Sequence, residues 1–142
     1  MKSKELQTIA NLEEKLKRKI YPTTKPYIWF DAYDDNNNMY EFKYRHTDYN
    51  TFVIEFRKWS NNYVFAHLNK LRFLYVVVTG TYTYIFDINE LNKSKHKYSW
   101  QWNKMKSTTE FKNTNYIEKY VGYIPKSKAA MKFKTKEIKY LY

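Results

Sequence analysis

The residues best suited to chemistry lie in segment 27–45, YIWFDAYDDNNNMYEFKYR, where carboxylates and a lysine flank a polar turn. Asp31 precedes the turn, and Glu41 and Lys43 follow it. Two carboxylates can hold a hard cation such as Mg²⁺ and leave positions open for phosphate oxygens. A lysine beside them can orient or deprotonate a water molecule, or stabilise the charge that develops on phosphorus. The set is therefore suited to metal-assisted hydrolysis of a phosphodiester.

A β-hairpin is the element that would bring these side chains together. Period-two alternation predicts strands over 27–33 and 39–45. The Asp and Asn residues between them, at 34–38, tolerate positive φ and bond their own backbone, which favours a tight turn. On the second strand, Glu41 and Lys43 share one face.

The position of Asp31 depends on the register of the hairpin, which alternation alone leaves open. Asp31 faces Glu41 and Lys43 in only one of the two arrangements. In the other, Asp34 or Asp35 would be the first metal ligand. A further alternative is an exposed hairpin in which Glu41 and Lys43 form only a solvated charge pair.

An amphipathic helix is predicted at 4–20, before the hairpin, with Ser3 as the candidate N-cap. Its apolar stripe consists of Leu6, Ile9, Leu12, Leu16 and Ile20. Glu5 and Glu13 also fall on this stripe, where a carboxylate is costly unless it is paired or bound to a metal. We assign Glu5 to the solvated end of the stripe, whereas Glu13 is either a solvated residue or a member of the site.

The remaining elements predict an α/β fold in a single domain over 1–142. Segment 51–69 has the periodicity of a helix, although its start, TFVIEF, could equally be a strand. RFLYVVV at 72–78 is typical of a buried central strand, and TYTYIFD at 81–87 is predicted to return beside it. Asp87 is the candidate cap of a short helix. Together these elements indicate a mixed sheet of about four or five strands flanked by helices.

The positive charge of the chain is concentrated towards its C-terminus. The net charge is +12, and residues 92–142 hold 13 lysines against three acidic residues. Aromatic residues lie between these lysines, a combination typical of a surface that binds a polyanion. A solvated lysine-rich face is the simpler alternative. The candidate nucleic-acid contacts are Arg45, Lys58, Lys95, Lys97, Lys104 and Lys106.

Alternation at 98–103 indicates a further strand, with Tyr98, Trp100 and Trp102 on one face. Such rings can stack on unpaired bases. The simpler interpretation is that they pack in the core or between two protomers.

Composition excludes or disfavours several other kinds of site and location. The chain has no Cys, which excludes disulfides and thiolate metal sites, and its three His residues are not at ligand spacing to one another. No apolar run approaches the ~18 residues of a membrane span. The charged N-terminal segment does not have the pattern of a secretory signal. We therefore expect a soluble, cytoplasmic protein that does not interact with membranes.

The order of these features resembles the PD-(D/E)XK nuclease superfamily, which has the restriction-endonuclease-like fold. In that family a helix precedes a hairpin whose first strand ends near an Asp and whose second strand carries Glu-x-Lys. A further helix and a strand follow. Asp31 and Glu41-Phe42-Lys43 stand in this order, and the resemblance extends over roughly residues 4–90. One departure is Phe30, which stands where the family often has Pro.

The resemblance implies roles for individual residues. Asp31 and Glu41 would bind the metal together with the backbone carbonyl of Phe42. Lys43 would be the catalytic lysine, and Glu13 would match the Glu that many members carry on the first helix. The implied cofactor is Mg²⁺ or Mn²⁺, and the implied partner is DNA.

Two functions follow as hypotheses. The first is a metal-dependent endonuclease that hydrolyses DNA phosphodiester bonds and that cuts two strands most simply as a homodimer. The second is a non-catalytic protein: a basic nucleic-acid binder, or a protein of viral or mobile-element origin that inhibits a host enzyme. The position of Asp31 relative to Glu41 separates the two, because one cation can bridge only carboxylates that lie close together.

Overall fold

The computed structural model describes residues 3–25, 28–107 and 115–136. The predicted strand at 27–33 therefore begins outside the described residues. Residues 108–114 and 137–142, which belong to the lysine-rich C-terminal part of the chain, also lie outside them. The described chain contains three α-helices, nine strands and a short 3-10 helix at Lys126–Lys128. The helices are α1 (Ser3–Leu16), α2 (Phe56–Leu68) and α3 (Ile88–Lys93). The strands are β1 (Ile20–Pro22), β2 (Ala32–Asp34), β3 (Asn38–Tyr44), β4 (Thr51–Glu55), β5 (Arg72–Val78), β6 (Tyr82–Asp87), β7 (Gln101–Lys106), β8 (Tyr116–Pro125) and β9 (Met131–Lys134).

The strands form a six-stranded mixed sheet and a smaller three-stranded sheet. The main sheet has the strand order β1-β2-β3-β5-β6-β9, and the smaller sheet has the order β4-β8-β7. β3 and β5 are parallel, and the other neighbouring pairs are antiparallel. The α/β class and the central strand at 72–78 are thus confirmed. The predicted number of strands is wrong, because β1 and β9 extend the main sheet and β4, β7 and β8 form a second one.

Because side chains alternate along β3 and β5, these strands contribute residues to two separate hydrophobic cores, one on each face of the main sheet. On one face, Tyr40, Leu74 and Val76 share a core with Ile9 and Leu12 of α1. The core on the other face joins the main sheet to α2, α3 and the smaller sheet. It includes Met39, Phe52, Ile54, Ala66, Phe73, Tyr75, Val77, Ile88 and Ile124. Because both faces of β3 are covered, a charged side chain on this strand needs a partner or a function.

The predicted helix at 51–69 divides into a strand and a helix. Thr51–Glu55 forms β4, which pairs with Val121–Pro125 of β8, and α2 begins only at Phe56. The β-branched and aromatic residues of TFVIE suit a strand. Their pairing partner lies far along the chain, where local periodicity cannot detect it.

α1 and β2 are both shorter than predicted. α1 ends at Leu16, because Lys17 adopts a φ of 54° that stops the helix, and Ile20 then enters β1. β2 begins only at Ala32, because the chain bends at Asp31 and leaves the ladder. This bend shapes the candidate site described below.

The short helix predicted after β6 is confirmed as α3. The Asp87 carboxylate caps it by accepting a hydrogen bond from the Glu90 N–H at 3.1 Å. Within the described ranges, the helices are all too short or too polar to cross a membrane.

The aromatic residues near β7 belong mostly to the core. Tyr98 is buried, and Trp100 packs against Phe56 and Trp59 of α2 at ring-centroid distances of 5.0 and 5.1 Å. Trp102, in contrast, is exposed. The simpler interpretation of these rings is therefore confirmed for Tyr98 and Trp100.

We predict that Gly122→Ala destabilises the fold. A Cβ atom at Gly122 would lie 2.8 Å from side-chain atoms of both Tyr98 and Trp100, so that a ring would have to move. Overpacking of this kind costs about 1–3 kcal/mol. Gly80→Ala is the matched control, because a Cβ there would meet nothing within 4 Å. Chemical denaturation should show a loss of stability for Gly122→Ala alone, and equal stability of the two variants would contradict the described packing.

Candidate active site

Asp31 lies where the ladder between β2 and β3 ends. The last paired residues are Ala32 and Tyr40, and this register carries Asp31 to the position opposite Glu41. There the Asp31 N–H donates to the Tyr40 carbonyl at 2.8 Å, and Asp31 Oδ2 accepts the Phe42 N–H at 2.7 Å. The carboxylate thus takes the place of the carbonyl that a continuing strand would have offered to β3. Asp31 is therefore held directly against the strand that carries Glu-x-Lys.

Glu41 projects from β3 into a buried position beside α2. The residue is 4% exposed, and its Oε1 lies 3.4 Å from Nζ of Lys58 in the first turn of α2. Its Oε2 is buried and has no hydrogen-bond partner among the described residues. A buried carboxylate oxygen without a partner is costly. Lys58 alone therefore leaves the Glu41 carboxylate incompletely satisfied.

Burial raises the pKa of both carboxyl groups of the site. Burial raises the pKa of Asp31 to about 6, although the Phe42 hydrogen bond opposes the shift. Burial raises the pKa of Glu41 to about 8, and the negative charge of Asp31 acts in the same direction. The Lys58 ammonium opposes the shift of both carboxyls. Two carboxylates that repel each other in this way favour a proton or a cation in their vicinity.

Lys43 lies on the same strand and has a strongly perturbed ammonium group. Burial lowers the pKa of Lys43 to about 7, and the positive charges of Arg45 and Lys58 act in the same direction. The Glu55 carboxylate opposes them. A lysine with a pKa near 7 can accept a proton at neutral pH, whereas an ordinary surface lysine stays charged.

Two charged residues near this site come from the smaller sheet. Glu55 ends β4 and is partly buried. Its carboxylate lies 3.1 Å from Nζ of Lys119 in β8 and 4.0 Å from Nζ of Lys58. Burial works to raise the pKa of Glu55, but the Lys119 hydrogen bond and the Lys43 charge outweigh it, and the pKa is lowered. The three-residue spacing of Glu55 and Lys58 was the only local signal of this arrangement.

The acidic residues of α1 occupy different places from those expected. Glu13 Oε2 accepts the Ile20 N–H at 3.0 Å and so closes the connection between α1 and β1. Glu5, predicted to be solvated, is the α1 carboxylate whose charge raises the pKa of Asp31. The structure therefore brings Glu5, rather than Glu13, into the surroundings of the site.

Asp34 and Asp35 are tied into the hairpin. The buried Asp34 carboxylate accepts hydrogen bonds from the backbone and amide of Asn38 and from the Tyr40 hydroxyl. Asp35 accepts a hydrogen bond from the Tyr21 hydroxyl at 3.0 Å. These bonds hold the turn, and Asp31 rather than Asp34 or Asp35 is the aspartate that lies beside Glu41.

A cleft of about 430 Å³ opens next to Lys43, between β3 and the smaller sheet. Its basic residues are Lys43, Arg45, Lys104, Lys106 and Lys119, and we call it the basic cleft. Glu55 is the acidic residue that lines it, and Lys119 is paired with this carboxylate. The cleft therefore offers positive charge to a polyanion at the edge of the candidate site.

The predicted nucleic-acid contacts fall into three groups. Those that line the basic cleft are Arg45, Lys104 and Lys106. Lys58 lies beside the candidate site, because its Nζ contacts the Glu41 carboxylate. Lys95 and Lys97 lie in the connection between α3 and β7 and are not part of the cleft lining.

No protein-family model, curated protein or solved structure matches this chain.

We predict that Glu41→Gln becomes more stable than the wild type as the pH rises, in the presence of EDTA. The folded pKa of Glu41 is about 8, above its ordinary value of 4.5, so its contribution to stability is complete below pH 4.5 and is lost as the pH rises through 8. At pH values above 8, the neutral Gln avoids a buried charge and should gain roughly 1 kcal/mol or more. Near pH 5, the two proteins should differ little. Urea denaturation at both pH values measures the difference, and a difference that does not change with pH would contradict the assigned burial of Glu41.

Proposed function

We propose that the protein is a metal-dependent endonuclease that hydrolyses DNA phosphodiester bonds. The observation that carries this proposal is that Asp31 and Glu41 meet across the end of a hairpin, with Lys43 on the same strand. A non-catalytic surface hairpin has no need to bury Glu41 on the strand that also carries Lys43 and beside a second, partly buried carboxylate. Such an arrangement is costly, and perturbed groups of this kind are concentrated at sites of chemistry.

The order of elements supports a restriction-endonuclease-like core. α1 precedes the hairpin of β2 and β3, and α2 and β5 follow, with β5 parallel to β3. This is the order that the resemblance to the PD-(D/E)XK superfamily implies. β4 and its sheet would be an addition to that core, inserted between β3 and α2.

The donor atoms suit a hard divalent cation such as Mg²⁺ or Mn²⁺. Asp31 and Glu41 supply carboxylate oxygens, and Glu41 Oε2 is buried without a hydrogen-bond partner among the described residues. Because the N–H and C=O of a strand residue point to the same edge, the Phe42 carbonyl faces the side on which Asp31 binds its N–H. No group of three or more His, Asp or Glu side chains is arranged for a metal in the described ranges, so the proposed set is two carboxylates and this carbonyl. When bound, the cation would supply Lewis acidity and activate water.

Lys43 is the proposed proton-transfer residue. Its pKa of about 7 allows the neutral amine to accept a proton from an attacking water. The ammonium form can then stabilise negative charge on the phosphate. Asp31 and Glu41 would hold the cation, and Lys58, which touches Glu41, would hold Glu41 in place or contact the phosphate.

The basic cleft is the proposed path of the DNA backbone. Arg45 directly follows β3, whereas Lys104 and Lys106 lie on β7, and all three line the cleft beside Lys43. Phosphate contacts from such residues position a nucleic acid without reading its sequence. A homodimer would place two such sites on the two strands of a duplex.

The first test of the proposal is cleavage of supercoiled plasmid and of labelled oligonucleotides with Mg²⁺, Mn²⁺ or EDTA. Lys43→Ala and Glu41→Gln should each reduce metal-dependent cleavage by about 100-fold or more, because one loses the proton acceptor and the other a metal ligand. Matched controls are Lys93→Ala and Glu90→Gln on α3, which should cleave like the wild type. Metal-dependent cleavage that survives both site substitutions would overturn the assignment of the site.

Binding without cleavage is the outcome that would favour the alternative function. A protein that cuts no nucleic acid under any metal condition but binds DNA with strong salt dependence would be a non-catalytic binder.

We predict that Arg45→Ala and Lys104→Ala each weaken DNA binding and reduce its salt dependence. Removing one phosphate contact lowers the slope of log K against log salt by about 1. Lys95→Ala and Lys97→Ala are matched controls outside the cleft lining and should leave the slope unchanged. Equal effects of the two pairs, measured by fluorescence anisotropy in EDTA over a range of salt concentrations, would show that general positive charge rather than the basic cleft binds DNA.

A further inference from the structure

An exposed tryptophan lies immediately before the candidate site. Trp29 is 53% exposed and stands two residues before Asp31, so the two Cα atoms are at most about 7 Å apart. The guanidinium of Arg57 lies over the Trp29 ring, 5.5 Å from its centroid. Arg57 directly precedes Lys58, the residue that contacts Glu41. Neither Trp29 nor Arg57 lines the basic cleft.

The backbone around Trp29 is fixed although the ring is exposed. Phe30 is buried, and its ring packs against Phe65 of α2 at a centroid distance of 5.4 Å. The Thr23 hydroxyl donates to the carbonyls of Phe30 at 2.8 Å and Asp31 at 3.1 Å. A residue whose backbone is held in place loses less conformational entropy when a ligand stacks on its ring. The exposed indole is therefore a preorganised flat surface at the site rather than part of the core.

We propose that Trp29 and Arg57 form a stacking subsite for an unpaired base of the nucleic acid, next to the bond that is cut. This inference rests on the proposed function and narrows its substrate class. Aromatic rings such as indole, and guanidinium planes, are surfaces on which proteins stack unpaired bases. A base inside a continuous duplex has both faces covered by its neighbours and cannot use such a surface.

The phosphate backbone and the unpaired base of the substrate would contact different surfaces of the protein. The basic cleft offers charge to the phosphate backbone, and the Trp29–Arg57 pair offers an aromatic face on a surface outside that cleft. The carboxylates of Asp31 and Glu41 lie close to both surfaces. Lys43, on the same strand as Glu41, lines the basic cleft, and Trp29 stands two residues before Asp31. The preferred substrate is therefore a strand with an unpaired nucleotide beside the scissile phosphate, as in a single strand, an overhang or a flap.

The test compares variants for binding of a fluorescein-labelled single strand, a duplex with a single-stranded overhang and a blunt duplex, in EDTA. Trp29→Ala should weaken binding of the first two about tenfold, which corresponds to about 1.4 kcal/mol, and should leave the blunt duplex nearly unchanged. Trp29→Phe should retain most of the affinity because it keeps an aromatic face. Trp102→Ala removes the exposed tryptophan of β7 and should affect none of the three substrates.

Several outcomes would overturn the stacking subsite. One is unchanged single-strand binding by Trp29→Ala, and another is an equal loss for all three substrates. A third is a loss that accompanies a change of oligomeric state in sedimentation, since Trp29 would then belong to a contact between copies of this chain. Thermal melting of Trp29→Ala checks that the variant is folded.

The stacking subsite and the endonuclease activity can be tested independently of each other. Glu90→Gln on α3 should bind all three substrates like the wild type, because Glu90 lies outside both the candidate site and the Trp29–Arg57 pair. If Trp29→Ala loses single-strand binding but no protein cleaves DNA, the stacking subsite stands and the endonuclease proposal falls. If cleavage depends on Glu41 and Lys43 but Trp29→Ala binds single strands normally, the endonuclease proposal stands and the stacking subsite is wrong.

Discussion

The hydrogen bond from the Phe42 N–H to the Asp31 carboxylate is the interaction on which the site depends. Where β2 leaves β3, the backbone donor of Phe42 would otherwise be unpaired, which is costly inside a folded protein. Asp31 satisfies this donor with a side-chain oxygen at 2.7 Å. One bond thus ends the ladder, keeps β3 satisfied and fixes a negative charge opposite Glu41.

The rest of the fold holds these charges together against their repulsion. α1 and its core cover one face of β3, and α2 with the smaller sheet covers the other. Lys58 on α2 and Lys119 on β8 bring positive charge to Glu41 and Glu55, and Arg45 brings it to Lys43. Burial between these elements raises the pKa of Glu41 to about 8 and lowers that of Lys43 to about 7. Ionisable groups with shifted pKa values, held between rigid helices and strands, are expected at a site for catalysis or binding.

The sequence predicts the parts of the site that depend on local pattern. Period-two alternation along β3 correctly places Glu41 and Lys43 on one face, because alternation is a property of the strand itself. The register that carries Asp31 opposite Glu41 could not be derived in this way. It depends on how Asp34 bonds to Asn38 and Tyr40 within the turn, which is a matter of side-chain geometry.

The contributions of the smaller sheet could not be predicted from the sequence, because its strands pair over long separations. β4 lies directly before α2, where the sequence allows either a strand or a helix, and its pairing with β8 decides in favour of the strand. Glu55 and Lys119 therefore meet without any local signal. For the same reason, the lysines of β7 join the basic cleft, whereas Lys95 and Lys97, which are close to them in sequence, do not.

Calorimetric titration of the protein with Mn²⁺ tests most directly whether Asp31 and Glu41 form a cation site. The account predicts one site in the wild type that is lost in both Asp31→Asn and Glu41→Gln. It also predicts that binding weakens as the pH falls from 8 to 6, because the cation must displace a proton from a carboxyl group with a pKa of about 8. Binding that is equally strong in the wild type and in Glu41→Gln, or that does not change over this pH range, would contradict the account.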